Sequence, residues 1–215
     1  MADVYDCSDP EARAAGLDAA AAAIGTGELV LMPTDTVYGI AADAFTPPAV
    51  AALLAAKNRG RTMPVPVLIG EASTLVGLVT VVPPVATKLA EAFWPGGLTL
   101  VCTVQPTLQW DLGETGGTVA VRMPLQPVAI DLLMATGPMA VSSANISGLA
   151  PATTLDEAIE QLGDGVSVYL DGGPSGEPVP STIVDVTGDR PRLLRAGAVT
   201  EEALREVCGD LTAEP

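Results

Sequence analysis

The amino-acid sequence predicts an α/β protein with a mixed parallel and antiparallel sheet and flanking helices. Two observations support this class. Short apolar segments rich in Val, Leu and Ile alternate with helical segments along the chain, which is typical of folds whose helices cover a sheet. The order of these segments is irregular, so we expect a mixed sheet rather than a purely parallel one. Hydrophobic residues make up 48% of the 215 residues, which is enough for one sizeable core.

The predicted helices have recognisable start and stop signals. The first has Asp9 as its capping acid, Pro10 in its first turn and Gly25 just beyond its end, a typical arrangement for a helix. The last begins at Thr200, a favourable capping residue before Glu-Glu-Ala-Leu. The predicted helices are Asp9–Ile24, Pro47–Asn58, Pro84–Phe93, Pro127–Ala135, Leu155–Leu162 and Thr200–Val207.

The predicted strands are short apolar or β-branched runs bounded by turn residues. The stretch 171–180 is rich in Gly and Pro and is predicted to be a loop over a site, because the about 35 residues after it are too few for an independent core. We therefore predict a single domain over 1–215. The predicted strands are Glu28–Met32, Val65–Ile69, Leu98–Val104, Thr118–Arg122, Met139–Ser142, Val166–Leu170, Ser181–Val186 and Arg192–Leu194.

The composition argues against several classes of protein. The net charge is −16 and only ten residues are Lys or Arg, so a stable nucleic-acid complex is not expected. The chain has no histidine, which removes Ser-His and Cys-His nucleophile systems and imidazole metal sites. The longest uncharged stretch, 132–155, is interrupted by Ser, Asn, Gly and Pro, so no membrane span is predicted. The N-terminus is acidic and lacks the basic region of a secretory signal, so we expect a cytoplasmic protein.

The few basic residues lie at candidate anion sites. Lys57, Arg59 and Arg61 fall within five positions at the end of a predicted helix. Such cations can simply complement the helix dipole, but Arg and Lys together are also what phosphate or carboxylate binding requires. Arg122 ends an apolar strand, and a buried cation there indicates either a ligand or a salt bridge.

Two polar loops directly follow predicted strands. The first is PTDTVYG at 33–39 and the second is SSANISG at 142–148. Ligands of α/β folds often lie where strands end, although the same residue types also favour ordinary turns. With Ser181 and Arg195 near later strands, these loops suit the binding of two anionic or zwitterionic substrates. The sequence has neither a Walker A loop nor a dinucleotide-binding fingerprint.

Six ordered motifs identify a known family. They are PTDTVYG, KNRGR followed by MP, FWPGGLT, VAVRMP, SSANISG, and STIVD followed by LLRAGAV. In this order they closely resemble the threonylcarbamoyl-AMP synthase (YrdC-like) family, and the match extends from about residue 10 to 200. The resemblance implies a twisted mixed sheet bent around a concave cavity. It also implies the conversion of L-threonine, bicarbonate and ATP to threonylcarbamoyl-AMP and pyrophosphate, the first step of N6-threonylcarbamoyladenosine modification of tRNA.

The resemblance also implies the roles of individual residues. Lys57 and Arg59 are implied to be catalytic, because they would meet the ATP phosphates or the threonine carboxylate. Mg²⁺ is expected to arrive on the ATP phosphates, with protein ligands unknown, and the product is expected to pass to proteins that transfer it to tRNA. The implied ATP-binding residues are Lys57, Arg59, Met63, Thr118, Asn145, Thr153 and Arg195. The implied threonine-binding residues are Thr36, Arg122, Ser143 and Ser181.

The sequence departs from the family pattern at two positions. Leu68 stands where many members have His or Asn, so either Ser and Thr hydroxyls suffice to hold threonine, which we favour, or selectivity for threonine is weaker. Arg61 is a cation that not all members have. Two alternatives stay open: a nucleotide- or RNA-binding regulator without catalysis, and the carbamoyl-adenylating domain used in hydrogenase maturation. The charge of −16 disfavours an RNA-binding protein. The carbamoyl-adenylating domain normally occurs together with Cys/His-rich and acylphosphatase-like segments, and this sequence contains neither.

Overall fold

Eleven strands and seven helices are present in the computed structural model, which describes residues 3–175 and 179–213. The strands are β1 (Asp3–Asp6), β2 (Val30–Met32), β3 (Gly39–Asp43), β4 (Val67–Leu68), β5 (Leu98–Thr103), β6 (Thr118–Arg122), β7 (Met139–Ser143), β8 (Val168–Asp171), β9 (Thr182–Asp185), β10 (Arg192–Arg195) and β11 (Thr212–Ala213). The helices are α1 (Pro10–Gly25), α2 (Pro47–Ala56), α3 (Leu75–Leu78), α4 (Pro84–Phe93), α5 (Pro127–Thr136), α6 (Leu155–Leu162) and α7 (Glu201–Cys208).

All of these strands join one sheet, in the order β1-β8-β2-β3-β7-β4-β6-β5-β9-β10-β11. The pairs β4–β6 and β5–β9 are parallel, whereas β3–β7 and β5–β6 are antiparallel. The prediction of a mixed sheet with flanking helices is therefore confirmed. Among the described residues, no helix is long and apolar enough to cross a membrane.

The predicted elements agree best with the structure where the sequence pattern is strong. Helices α4 and α6 and strand β6 have the predicted bounds, and Asp9 accepts a hydrogen bond from the backbone N–H of Ala12 as the cap of α1. The stretch after the PTDTVYG loop is not among the predicted strands. It forms β3, whose Gly-Ile-Ala-Ala-Asp sequence has little intrinsic preference for a strand but pairs with β2 and β7 in the buried middle of the sheet.

The two faces of the sheet are covered differently. One face packs against α2, α3, α4, α6 and α7 in a large apolar core. The other face is covered by α1 and α5 over β1, β8, β2, β3, β7 and β4. Since side chains alternate along a strand, Leu98, Leu100 and Cys102 of β5 enter the large core while Thr99 and Val101 face the other way. The second face is thus left uncovered by helices over β6, β5, β9 and β10.

Candidate functional site

A concave cavity of about 460 Å³ lies on this uncovered part of the sheet and extends to the adjoining strands β4 and β7. Its floor includes apolar residues of several strands, among them Leu68, Ala120, Val141 and Ile183. Its polar lining includes many of the residues singled out in the sequence. These are Thr36, Arg59, Arg122, Ser143, Ser181 and Arg195. The cavity therefore combines an apolar floor with cations and hydroxyls contributed by separate strand ends and loops.

Arg122 is the buried cation of the cavity floor. Its Nη2 donates to Asp35 Oδ1 at 2.8 Å, its Nη1 to Thr36 Oγ1 at 2.9 Å and its Nε to the Gly96 carbonyl at 3.0 Å. Burial lowers the pKa of Arg122, and the Asp35 carboxylate opposes that shift. The same Asp35 oxygen also accepts the backbone N–H of Leu125 at 2.9 Å. Asp35 therefore fixes the guanidinium, whose remaining N–H donors are available to a ligand.

Arg195 is the second cation at the cavity, and Ser181 holds it in place. Its Nε and Nη2 donate to the Ser181 carbonyl at 2.9 and 2.7 Å, and Nη2 also donates to Ser181 Oγ at 3.0 Å. The Ser181 hydroxyl is in turn 2.8 Å from the hydroxyl of Thr99. Burial, together with the charges of Arg122 and Arg59, lowers the pKa of Arg195.

Arg59 completes a set of three guanidinium groups around the cavity. Its Nε donates to the Met63 carbonyl at 2.8 Å and its Nη2 to the Pro64 carbonyl at 3.1 Å. Burial lowers its pKa too. The described residues pair only one of these three groups with a carboxylate, in the Arg122–Asp35 ion pair at 2.8 Å. The cavity is thus a positively charged site in a chain of net charge −16, which suits anionic ligands.

Lys57 lies behind the cavity wall rather than in it. The residue is 1% exposed, and its ammonium donates to the carbonyl oxygens of Ser143 and Asn145, the latter at 2.6 Å. It also lies 3.4 Å from Asn145 Oδ1, while its own carbonyl accepts the backbone N–H of Ser147 at 2.8 Å. Burial, together with the charge of Arg59, lowers the pKa of Lys57 to about 8. Lys57 therefore ties the end of α2 to the 143–147 loop.

The remaining predicted ATP-binding residues do not line the described cavity. Asn145 is buried and donates to the carbonyls of Ile146 and Leu149 at 3.0 and 2.8 Å. Thr118 donates to the Thr115 carbonyl at 2.8 Å, and the Thr153 hydroxyl donates to Glu157 Oε2 at 3.0 Å. Met63 is 47% exposed, next to the cavity residue Pro64. Their predicted contacts with ATP stay predictions.

The predicted loop at 171–180 reaches the site in its described part. Pro180 lines the cavity, whereas residues 176–178 lie outside the described residues. The hydroxyl of Tyr38 donates to the Gly173 carbonyl at 2.6 Å and accepts the backbone N–H of Gly172 at 3.1 Å. These bonds attach the beginning of the loop to the segment that contains Thr36.

The polar residues of the site that were not predicted include Thr34 and Thr99, which line the cavity, and Asp35, which pairs with Arg122. Thr34 and Asp35 belong to the PTDT motif, and the run of polar residues there was the signal that could have identified them. Thr99 is 2% exposed and interrupts the apolar residues of β5. Its position, alternating with Leu98 and Leu100, was the signal that its hydroxyl faces away from the core.

Gly197 allows the chain after β10 to approach the start of β9 closely. A Cβ atom at this position would lie 2.7 Å from both the Ser181 carbonyl carbon and the Thr182 nitrogen, and would also clash with the Pro180 oxygen. Gly197→Ala is therefore expected to lower the free energy of unfolding by about 1–3 kcal/mol, a typical cost of overpacking. Urea denaturation would measure this change.

Gly77→Ala is the matched control, because a Cβ atom there meets nothing within 4 Å. It is expected to leave the stability unchanged or slightly increased. Equal stabilities for the two variants would contradict the close approach at Gly197.

The described residues offer no preformed metal site. None of their His, Cys, Asp and Glu side chains form a group of three or more that could hold a metal ion. Asp35, at the cavity, is already committed to Arg122 and Leu125.

Comparison with known proteins agrees with this geometry. A family model of Sua5, YciO and YrdC proteins, described as "Telomere recombination", matches residues 22–197. A Mycobacterium tuberculosis H37Rv protein named "Putative threonylcarbamoyl-AMP synthase" is 58% identical over 209 residues, covering 97% of this chain and 96% of that protein. A Bacillus subtilis threonylcarbamoyl-AMP synthase is 36% identical, covering 98% of this chain and 60% of that protein.

A solved structure shares the fold over the whole chain. The crystal structure of Pyrococcus abyssi Sua5 complexed with L-threonine superposes with a TM-score of 0.92 at 33% identity. The match covers 100% of this chain and 63% of that one, so this chain corresponds to only part of the longer protein. Both the family model and these relatives cover most of the chain, which therefore belongs to the Sua5/YciO/YrdC family.

Proposed function

We propose that this chain is a threonylcarbamoyl-AMP synthase, acting as a single catalytic domain in the cytoplasm. It uses L-threonine, bicarbonate and ATP, and it releases threonylcarbamoyl-AMP and pyrophosphate. The observation that carries the proposal is the cavity with three guanidinium groups, two of which contact a hydroxyl that also lines the cavity: Arg122 with Thr36 and Arg195 with Ser181. A carboxylate and a triphosphate are the anions that such a cavity can hold together. The relatives that bear this enzyme name support the same assignment.

The two substrates are assigned to different parts of the cavity. Arg122 and the hydroxyls of Thr36, Ser143 and Ser181 receive the threonine carboxylate and its neighbouring polar groups. Arg59 and Arg195 face the triphosphate, with the remaining predicted ATP contacts around them. This arrangement fixes the amino acid and the nucleotide side by side, and such positioning can supply a large part of the rate acceleration.

The reaction follows from this arrangement in two steps. The threonine amine adds to CO₂ derived from bicarbonate and loses a proton, which gives an N-carboxy group. That carboxylate attacks the α-phosphorus of ATP, and the bond to the departing pyrophosphate breaks. The guanidinium groups stabilise the negative charge that develops on the phosphate oxygens.

A covalent enzyme intermediate has no role in this proposal. The chain has no histidine to activate a nucleophile. Burial raises the pKa of the Cys7 thiol to about 11 and that of the Cys102 thiol to about 12, so both stay protonated and unreactive near neutral pH. Mg²⁺ enters as part of the substrate, bound to the ATP phosphates. The product is taken up by proteins that transfer it to tRNA.

The assay of pyrophosphate release tests the proposed function. We expect release from ATP and Mg²⁺ only when L-threonine and bicarbonate are both present. Release that needs neither, or no release in any combination, would contradict the proposal and favour a binding protein. Release that depends on carbamoyl phosphate instead of threonine and bicarbonate would favour the carbamoyl-adenylating alternative.

A further inference from the structure

Thr99 and Ser181 form a buried pair of hydroxyls at the edge of the cavity. Thr99 lies on β5, and Ser181 immediately precedes β9, its parallel neighbour, with Leu98 opposite Thr182. The two oxygens are 2.8 Å apart, and the residues are 2% and 7% exposed. Both residues line the cavity.

The hydrogen-bonding capacity of Ser181 determines what its hydroxyl can recognise. A hydroxyl has one proton and two lone pairs. Arg195 Nη2 donates to Ser181 Oγ at 3.0 Å, which uses one lone pair. If Thr99 donates to the second lone pair, Ser181 can act only as a donor, and its proton is available to the cavity. If Ser181 donates to Thr99 instead, it has no proton left for a ligand.

A negatively charged ligand oxygen favours the first arrangement, because it accepts a hydrogen bond and a carboxylate cannot donate one. Hydrogen bonds that run in series, here from Thr99 to Ser181 and from Ser181 to the ligand, also strengthen one another. Thr99 thus supplies the bond that frees the Ser181 proton.

The hydroxyl of Thr36, which contacts Arg122, lacks this support. Thr36 Oγ1 accepts from Arg122 at 2.9 Å and lies 3.1 Å from Thr34 Oγ1. Thr34 already donates its proton to the Val37 carbonyl at 2.5 Å, and its oxygen accepts the backbone N–H groups of Thr36 and Val37, each at 3.3 Å. Thr34 therefore has no proton to donate to Thr36 in the way that Thr99 can donate to Ser181. Ser181, unlike Thr36, therefore has a neighbouring hydroxyl that can hold it as a hydrogen-bond donor.

We propose that Thr99 is a positioning residue, which holds Ser181 as a hydrogen-bond donor to the carboxylate of the amino-acid substrate. The inference rests on the proposed function and deepens it, because it assigns a role to a residue that touches Ser181. Thr99 acts on amino-acid binding and leaves ATP binding unaffected.

Thr99→Val tests this role, since valine keeps the shape and removes the hydroxyl. We expect KM for threonine in the pyrophosphate-release assay to rise about 10-fold, as for the loss of a hydrogen bond to a charged group. KM for ATP and the unfolding temperature are expected to stay near the wild-type values. Thr99→Ser keeps the hydroxyl and is expected to restore KM for threonine to within about twofold. Thr103→Val, an exposed position on the same strand, is the matched control.

A double-mutant cycle decides whether Thr99 acts through Ser181. In the Ser181→Ala background, Thr99→Val is expected to change KM for threonine less than twofold. A full 10-fold effect in that background, or equal changes in KM for ATP and threonine, would overturn the proposal. A wild-type KM in Thr99→Val would overturn it as well. A wild-type protein without threonine-dependent release would instead refute the proposed function, so the two failures are distinguishable.

Discussion

Replacing Arg122 by methionine is expected to reduce threonine-dependent pyrophosphate release by about a thousandfold or more, an effect of the size seen when a charged group at a reaction centre is removed. The guanidinium is buried on the cavity floor and fixed by Asp35, Thr36 and Gly96. Its loss removes the cation expected to bind the threonine carboxylate. It also leaves the Asp35 carboxylate without its ion pair, so that it repels the same substrate group. Steady-state kinetics with threonine and ATP varied separately would measure the change.

Two further variants make this result specific. Arg61→Met removes a guanidinium whose side chain is 53% exposed and pairs with Asp111 at 2.7 Å, and it is expected to keep activity within about twofold, because exposed ion pairs contribute little. Arg122→Lys keeps the charge but loses the fork of donors, so a large loss of activity is expected there too. Wild-type activity in Arg122→Met, with the fold confirmed by circular dichroism, would refute the assigned role.

Replacing Lys57 by methionine is expected to lower the free energy of unfolding by about 2–4 kcal/mol and to abolish adenylate formation. The buried ammonium holds the carbonyl oxygens of Ser143 and Asn145. Methionine would leave these acceptors without partners and release the loop that carries the Ser143 hydroxyl into the cavity. Urea denaturation and the pyrophosphate assay would measure the two effects.

Lys88 provides the matched control, because it is the other of the two lysines in the chain and lies exposed on α4. Lys88→Met is expected to change stability by less than about 0.5 kcal/mol, as is usual for surface substitutions. If Lys57→Met were as stable as wild type and lost only affinity for ATP, Lys57 would contact the phosphates directly, as the sequence resemblance implies, and the loop-holding role would be wrong.

The sequence was sufficient to predict the fold class and to single out six polar residues that line the cavity. Helix α4 carries Pro84 at its start and the Trp-Pro-Gly-Gly turn after its end, and both of its bounds were predicted correctly. Arg122 was recognised as unusual because a cation ended an apolar strand. A ligand and a salt bridge were both considered for Arg122. The two are compatible, because the guanidinium pairs with Asp35 and still lines the cavity.

The sequence was insufficient where long-range pairing decides the structure. Strand β3 is a Gly- and Ala-containing segment that becomes a strand because β2 and β7 lie on either side of it. Lys57 was expected to contact a ligand. In the structure its ammonium donates to the carbonyl oxygens of Ser143 and Asn145, which lie 86 and 88 residues further along the chain. Thr99 gains its partner only because β5 and β9 are neighbours. None of these contacts can be deduced from local patterns.

The most direct test of the central claim is the identity of the product. The wild-type chain would be incubated with ATP, Mg²⁺, L-threonine and carbon-13-labelled bicarbonate, and the nucleotides would be separated and analysed by mass spectrometry. We expect an AMP adduct that contains threonine and one labelled carbon, formed in equal amount with pyrophosphate and absent with Arg122→Met. Pyrophosphate formed together with AMP alone, or an adduct that contains no labelled carbon, would contradict the proposed synthesis of threonylcarbamoyl-AMP.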